Sequence, residues 1–106
     1  MHEQRVDAVR SNLASRDLEQ MLVCDPRSIQ YLTGVYAEPG ERFLGLIIAP
    51  SIPPTLVLNA LFTAPADAAC AVRSFTDTDD PLAIVEELCD PDAPLGCDKN
   101  LPARFL

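Results

Sequence analysis

The side chains that most often carry out catalysis are sparse in this chain. Its one histidine is His2, beside the N-terminus, where chains are commonly poorly ordered. None of the serines has a neighbouring residue that could act as a general base, and the sequence contains neither a GxSxG motif nor a glycine-rich phosphate loop. These serines are Ser11, Ser15, Ser28, Ser51 and Ser74. The sequence therefore predicts no site built on histidine and none built on an activated serine.

Three acidic residues, Asp77, Asp79 and Asp80, stand close enough together to suggest a metal cluster. They fall at a turn that precedes a predicted helix. Carboxylates in that position usually cap the helix or face solvent. We therefore expect cap and loop residues here, and no metal.

The four cysteines, at positions 24, 70, 89 and 97, form no CxxC motif and none of the paired spacings of a zinc site. Three lie in apolar or strand-like surroundings, where free cysteine usually packs as a small core residue. We expect four reduced thiols, at least two of them buried. Cys24, at a predicted strand end, is the best-placed nucleophile, but no histidine stands ready to activate it.

Length and charge limit the possible functions. A chain of 106 residues is one domain. Its net charge of −8 argues against binding to nucleic acid or to an anionic membrane, because phosphate recognition needs a basic face. No apolar run approaches the roughly 18 residues of a membrane span, and the polar N-terminus lacks the apolar region of a signal peptide. We expect a cytoplasmic protein.

A strand and a helix with clear start and stop signals are predicted within residues 18–35. The apolar run 21–23 is too short for a helix and predicts a buried strand. Asp25 and Pro26 then predict a capped helix start, and Gly34 predicts its end. Other apolar spacings predict an amphipathic helix over 3–16, strands over 43–49, 55–58, 72–75 and 95–98, a short helix near Pro65, a helix from Pro81 to Leu88, and a helix start at 100–102.

Together these elements predict an α/β domain, with a five-stranded mixed sheet flanked by helices in three layers. The two strands joined by the proline-rich segment 50–54 predict an antiparallel hairpin. The predicted core consists of Leu22, Val23, Ile29, Leu32, Leu46, Ile48, Leu56, Val57, Val72, Val85, Leu88 and Leu95.

The order of these motifs resembles a known family. A short apolar run, a polar step with proline, and then Ile29-Gln-Tyr-Leu-Thr-Gly34 is similar to the N-terminal domain of the creatinase, prolidase and aminopeptidase P family. The likeness continues through Gly40-Glu-Arg42, Leu95-Gly-Cys-Asp98 and Leu101-Pro-Ala-Arg104, and so covers nearly the whole chain. It implies a mixed sheet likened to the ribonuclease H motif.

The resemblance also implies that catalysis belongs to a separate domain. In this family a C-terminal domain cleaves the bond before proline or hydrolyses creatine, and the peptidases hold two divalent metal ions there (Mn, Co or Zn) with two Asp, one His and two Glu. That domain is absent from residues 1–106, which correspond to the non-catalytic N-terminal domain. The N-terminal domains pack in a homodimer and shape access to the active site. The expected partners are therefore the chain's own catalytic domain and a second copy.

Two residues are implied at the rim of the partner's active site. Alignment on Ile29–Gly34 places Arg42 where a creatinase arginine contacts the substrate carboxylate, and a guanidinium suits a carboxylate through two parallel bonds. The alternative is that Arg42 pairs with Glu41 or Glu38 on its own loop. Tyr36 either lines the same rim or packs on the surface. Pro39-Gly40 departs from the creatinase version of this loop and favours a proline peptidase.

Three hypotheses follow. The first is the N-terminal domain of an Xaa-Pro dipeptidase or aminopeptidase P-like metallopeptidase. The second is a free-standing protein-binding module of the same fold, and the third is a small thiol enzyme. A downstream Asp, Asp, His, Glu, Glu pattern would separate the first hypothesis from the second.

Overall fold

The computed structural model describes residues 2–40, 42–50 and 52–98. Three helices and five strands make up this part of the chain. The helices are α1 (His2–Ala14), α2 (Pro26–Thr33) and α3 (Pro81–Leu88). The strands are β1 (Gln20–Val23), β2 (Gly45–Ala49), β3 (Ile52–Asn59), β4 (Ala71–Phe75) and β5 (Leu95–Cys97).

The strands form one mixed sheet in the order β4-β3-β2-β1-β5. β2 pairs antiparallel with both β1 and β3, whereas β1 pairs parallel with β5 and β3 pairs parallel with β4. Four strands therefore point the same way and β2 alone points back. The predicted five-stranded mixed sheet is confirmed.

The strand-and-helix unit of residues 18–35 has the predicted boundaries. Asp25 is the N-cap of α2, and its side chain accepts a hydrogen bond from the backbone N–H of Ser28 at 3.2 Å. Pro26 begins the helix, and Gly34 ends it with a φ of +82°, a left-handed conformation that glycine adopts at little cost. α3 begins in the same way, with Asp80 as its N-cap and Pro81 as its first residue.

Helices cover both faces of the sheet, so the predicted three layers are confirmed. Alternate strand residues point to opposite faces, and two clusters of buried side chains result. The cluster beneath α1 and α2 contains Val6, Val23, Ile29, Leu32, Val35, Ala37, Leu44, Leu46, Ile48, Leu56 and Leu58. The cluster beneath α3 contains Leu22, Cys24, Phe43, Ile47, Ala49, Val57, Phe75 and Val85.

The hairpin of β2 and β3 is antiparallel, as predicted, but β3 begins earlier than expected. Pro53 and Pro54 lie inside it, although proline has no N–H for a sheet ladder. They are tolerated because the register with β2 shifts between Ile47 and Ala49, and because the pairing with β4 begins only at Thr55. Irregular or singly paired positions are where strands accept proline.

Several predictions about packing and local structure are wrong. Val72 is 39% exposed and Leu95 is 36% exposed, because they lie on β4 and β5, the two edge strands. Leu88 is only partly buried. The helix predicted near Pro65 is a single turn closed by a bond from Ala68 N–H to Pro65 O. The helix start predicted at 100–102 lies outside the described residues.

Candidate functional site

Chemically useful side chains gather at one edge of the sheet. Four strands run parallel, so their carboxyl ends meet at this edge, and β2 begins there. In open α/β sheets this is the edge at which ligands bind. We call it the carboxyl edge; it comprises Cys24 and Asp25 after β1, Asn59 at the end of β3, Asp77 after β4, Asp98 after β5, and Arg42 before β2.

The loop that carries the two predicted rim residues is fixed to the core at both ends. Val35 and Ala37 are buried near its start, and Phe43 is buried at its end. Between them the chain turns at Gly40, whose φ of +62° lies in the left-handed region. The N–H of Arg42 then donates to Pro39 O at 3.0 Å. The alternation of buried and exposed residues leaves Tyr36 on the outside.

Arg42 forms a two-pronged ion pair with Asp77. Its Nε lies 3.2 Å from Asp77 Oδ1, and its Nη2 lies 3.3 Å from Asp77 Oδ2. The expected alternative, a pair with Glu38, is wrong, because Glu38 accepts a bond from the hydroxyl of Tyr36 instead. Glu41 lies outside the described residues. Arg42 therefore belongs to a contact that joins two distant loops.

Asn59 holds the carboxylate of Asp77 through a hydrogen bond. It is 2% exposed, and its Nδ2 donates to Asp77 Oδ1 at 2.9 Å while its Oδ1 accepts from Leu61 N–H at 3.0 Å. Hydrogen bonds from Arg42 and then from Asn59 hold the pKa of Asp77 below its ordinary value. Sequence reasoning missed Asn59; the available signal was an amide residue directly after the predicted strand 55–58.

Tyr36 is 46% exposed, and its hydroxyl donates to Glu38 Oε1. That hydrogen bond raises the pKa of the tyrosine hydroxyl. Within the part of the chain that the structure describes, no hydrogen bond or ion pair joins Tyr36 to Arg42. The structure thus places both residues on one loop, each held by a different carboxylate.

At the far end of the carboxyl edge, Asp98 fixes the turn after β1. Its Oδ2 accepts from the backbone N–H groups of Cys24 and Asp25, each at 2.9 Å. Burial, with smaller contributions from Asp98 and Cys97, raises the pKa of the Cys24 thiol to about 12. A nucleophilic thiol needs a lowered pKa, so the geometry does not support the thiol-enzyme hypothesis.

All four cysteines are free, but the expectation of at least two buried thiols is wrong. Cys24 is buried, Cys70 and Cys89 are partly buried, and Cys97 is exposed. The ring of His2 lies against the end of α2. Its Nδ1 is 3.1 Å from Tyr31 O, a position from which a ring N–H can donate to one of the last carbonyls of a helix.

Two residues of the acidic cluster after β4, Asp79 and Asp80, are the turn and cap residues that the sequence predicts, whereas Asp77 is the ion-pair partner of Arg42. Asp80 caps α3 by accepting from Leu82 N–H at 3.0 Å. Asp79 accepts from Thr76 N–H at 2.9 Å within the turn. Among residues 2–40, 42–50 and 52–98, no group of three or more His, Cys, Asp or Glu side chains is arranged to hold a metal ion. The described helices also include none long and apolar enough to cross a membrane.

One open groove of about 610 Å³ lies between α1 and α2, away from Arg42. Its lining includes the apolar residues Val9, Met21 and Leu32 and the charged residues Arg27 and Asp98. Neither Arg42 nor Tyr36 lines it, and both side chains are exposed.

Solved structures of dipeptidases resemble this fold. The N-terminal domain of an X-Pro dipeptidase from Streptococcus pyogenes is 25% identical, with a TM-score of 0.80 over 95% of this chain and 81% of that one. A domain of a dipeptidase from Streptococcus thermophilus is 27% identical, with a TM-score of 0.82 over 94% and 80%. Dipeptidase PepE from Mycobacterium ulcerans is 27% identical, with a TM-score of 0.81 over 96% of this chain but only 29% of that one.

A comparison with curated protein sequences found no match. The model of one protein family, the creatinase/prolidase N-terminal domain, matches residues 5–106. That match spans nearly the whole chain, and it agrees with the mixed sheet, the three helices and the solved relatives. This chain belongs to the creatinase/prolidase N-terminal domain family.

Proposed function

We propose that this chain is the non-catalytic N-terminal domain of a proline-specific metallopeptidase of the Xaa-Pro dipeptidase or aminopeptidase P-like kind. The observation that carries the proposal is the match to dipeptidase PepE from Mycobacterium ulcerans. Nearly all of this chain superimposes on 29% of that dipeptidase. A domain that accounts for under a third of a larger peptidase leaves the remainder for catalysis.

The proposal assigns the metal ions to a separate catalytic domain. The donor groups on the described residues do not fit a metal site, because they serve as helix caps, turn acceptors and ion-pair partners. Two divalent ions (Mn, Co or Zn), bound by two Asp, one His and two Glu of the catalytic domain, would supply an activated water for hydrolysis. No step of that chemistry is assigned to residues 2–98.

The proposed role of this domain is dimerisation and control of access to the active site. In a homodimer, loop 36–42 would lie beside the partner's active site, where Arg42 binds the carboxylate end of the substrate and Tyr36 lines the rim. Two observations support this role: both side chains are exposed, and the loop is fixed to the core. The proposed location is the cytoplasm, and neither nucleic acid nor a membrane is a proposed partner.

The test is to read the coding region beyond Leu106 and to express it together with this domain. We expect the Asp, Asp, His, Glu, Glu pattern downstream. We also expect the longer protein to hydrolyse Xaa-Pro dipeptides with Mn²⁺, Co²⁺ or Zn²⁺, and the 106-residue chain to be inactive with the same ions. Hydrolysis by the 106-residue chain alone would contradict the proposal. A downstream region without those ligands would also contradict it, and would favour the free-standing binding module.

A further inference from the structure

We propose that Asp77, backed by Asn59, is a positioning residue that holds the Arg42 guanidinium in the orientation that receives a substrate carboxylate. This inference rests on the proposed function of Arg42 as a rim residue. It adds two residues to that site that neither the family resemblance nor the sequence spacing indicates. Both lie outside loop 36–42: Asn59 is the last residue of β3, and Asp77 follows β4.

The first argument concerns the hydrogen-bond donors of Arg42 that Asp77 already occupies. A guanidinium carries five N–H groups. Asp77 takes one from Nε and one from Nη2, along one side of the planar group. No other described residue accepts a hydrogen bond from this side chain. The end of the fork, with both hydrogens of Nη1 and the second hydrogen of Nη2, is left for another carboxylate.

The second argument is that Asp77 is itself fixed. It follows β4, and its Oδ1 accepts from Asn59 Nδ2 at 2.9 Å. Asn59 is 2% exposed and pairs with Phe75 in the parallel ladder of β3 and β4. The chain of contacts thus runs from the sheet through a buried amide to an exposed carboxylate and then to Arg42. A side chain held this way loses less conformational freedom when it binds a ligand.

The third argument weighs positioning against repulsion. Asp77 and a bound substrate carboxylate would share one cation, and their mutual repulsion opposes binding. Asp77 stands at a solvent-exposed surface of this domain, where water and salt screen that repulsion. Water and salt do not reduce the conformational-entropy cost of ordering a long, flexible arginine side chain. We therefore expect loss of Asp77 to weaken substrate binding.

The kinetic test compares Asp77→Asn with Asp79→Asn in the longer peptidase. Both variants remove one negative charge from the same turn, but Asp79 contacts Thr76 and not Arg42. Asp77→Asn should raise KM about three- to tenfold with kcat unchanged, the effect of freeing one ordered side chain. Asp79→Asn should leave KM within about twofold. Adding Asp77→Asn to Arg42→Ala should cause no further change.

The outcomes separate the two proposals. If Arg42→Ala leaves KM unchanged, the rim role in the proposed function fails. If Arg42→Ala raises KM but Asp77→Asn matches Asp79→Asn, the rim role stands and the positioning role of Asp77 is overturned. The positioning role is supported if Asp77→Asn raises KM more than Asp79→Asn does, and if adding Asp77→Asn to Arg42→Ala raises KM no further.

A second measurement needs no catalysis and uses the 106-residue chain itself. The ¹H–¹⁵N heteronuclear NOE of Arg42 Nε reports the order of the side chain on the ps–ns timescale. It should be high in the wild type and in Asp79→Asn, and it should fall in Asp77→Asn. A low wild-type value, or one that Asp77→Asn does not change, would overturn the inference.

Discussion

The guanidinium of Arg42 and the carboxylate of Asp77, 35 residues apart in the chain, meet through two contacts of 3.2 and 3.3 Å. They meet because β2 begins at the edge where the other four strands end. An exposed pair of this kind contributes little to stability. Its consequence is geometric, since it fixes the one loop to which the resemblance assigns a role in substrate binding.

The pKa of Asp77 should test this pair directly. Because the pKa of Asp77 is lowered in the folded state, the pair stabilises the fold at pH values above the ordinary aspartate pKa of about 3.9. This contribution is lost as the pH falls through the lower pKa of the folded state. Titration of the side-chain ¹³C carboxyl signal should give a midpoint below about 3.9. Arg42→Ala should raise that midpoint. A wild-type midpoint at or above the ordinary value would mean that the pair does not form in solution.

The buried centre of the sheet should be sensitive to truncation. Ile48 is 0% exposed and Leu22 is 2% exposed, on opposite faces. Ile48→Ala or Leu22→Ala should lower the free energy of unfolding by about 2–5 kcal/mol. Val72→Ala, on the exposed edge strand, should cost less than about 0.5 kcal/mol. Urea denaturation measures all three, and losses below about 0.5 kcal/mol at both core sites would contradict the strand assignments.

The Cys24 thiol should make stability depend on alkaline pH. Its folded pKa of about 12 lies above the unfolded value of about 8.5. The folded state binds the proton more tightly, so this contribution is complete below about pH 8.5 and is lost as the pH rises toward 12. Cys24→Ser should reduce the fall in unfolding free energy between about pH 8 and 10.

The same thiol should be protected from reagents. In the native protein Cys97, which is exposed, should react with a thiol reagent before Cys24, which is buried. All four cysteines should react in denaturant. An unchanged alkaline dependence in Cys24→Ser, together with rapid native labelling of Cys24, would mean that this strand end is open to solvent.

The sequence predicts those parts of the fold that depend on neighbouring residues. Asp25-Pro26 and Asp80-Pro81 mark helix starts because cap and proline act within one turn, and Gly34 ends α2 for the same reason. The helix predicted near Pro65 failed because five residues separate that proline from Ala71, where β4 begins. That length does not leave room for a stable helix.

Contacts between distant residues could not be predicted in this way. Gln20 is 2% exposed and bonds to Asp90 and Ala93 across the domain, but its position in the sequence is that of an ordinary polar residue before a strand. Nothing local to Arg42 indicates Asp77 as its partner, because strand order brings them together. Val72 and Leu95 were assigned to the core because apolar composition alone does not distinguish an edge strand from a central one.

The most direct measurement is the hydrolysis of an Xaa-Pro dipeptide by the longer protein, with Arg42 intact and as Arg42→Ala. A charge-assisted contact is worth about 1.5–3 kcal/mol, so kcat/KM should fall roughly ten- to a hundredfold, mainly through a higher KM. Arg42→Lys should recover only part of the loss, because lysine lacks the two-pronged geometry. Xaa-Pro hydrolysis that falls in this way is the result that the account predicts. Unchanged kinetics in Arg42→Ala would contradict it and leave loop 36–42 as ordinary surface.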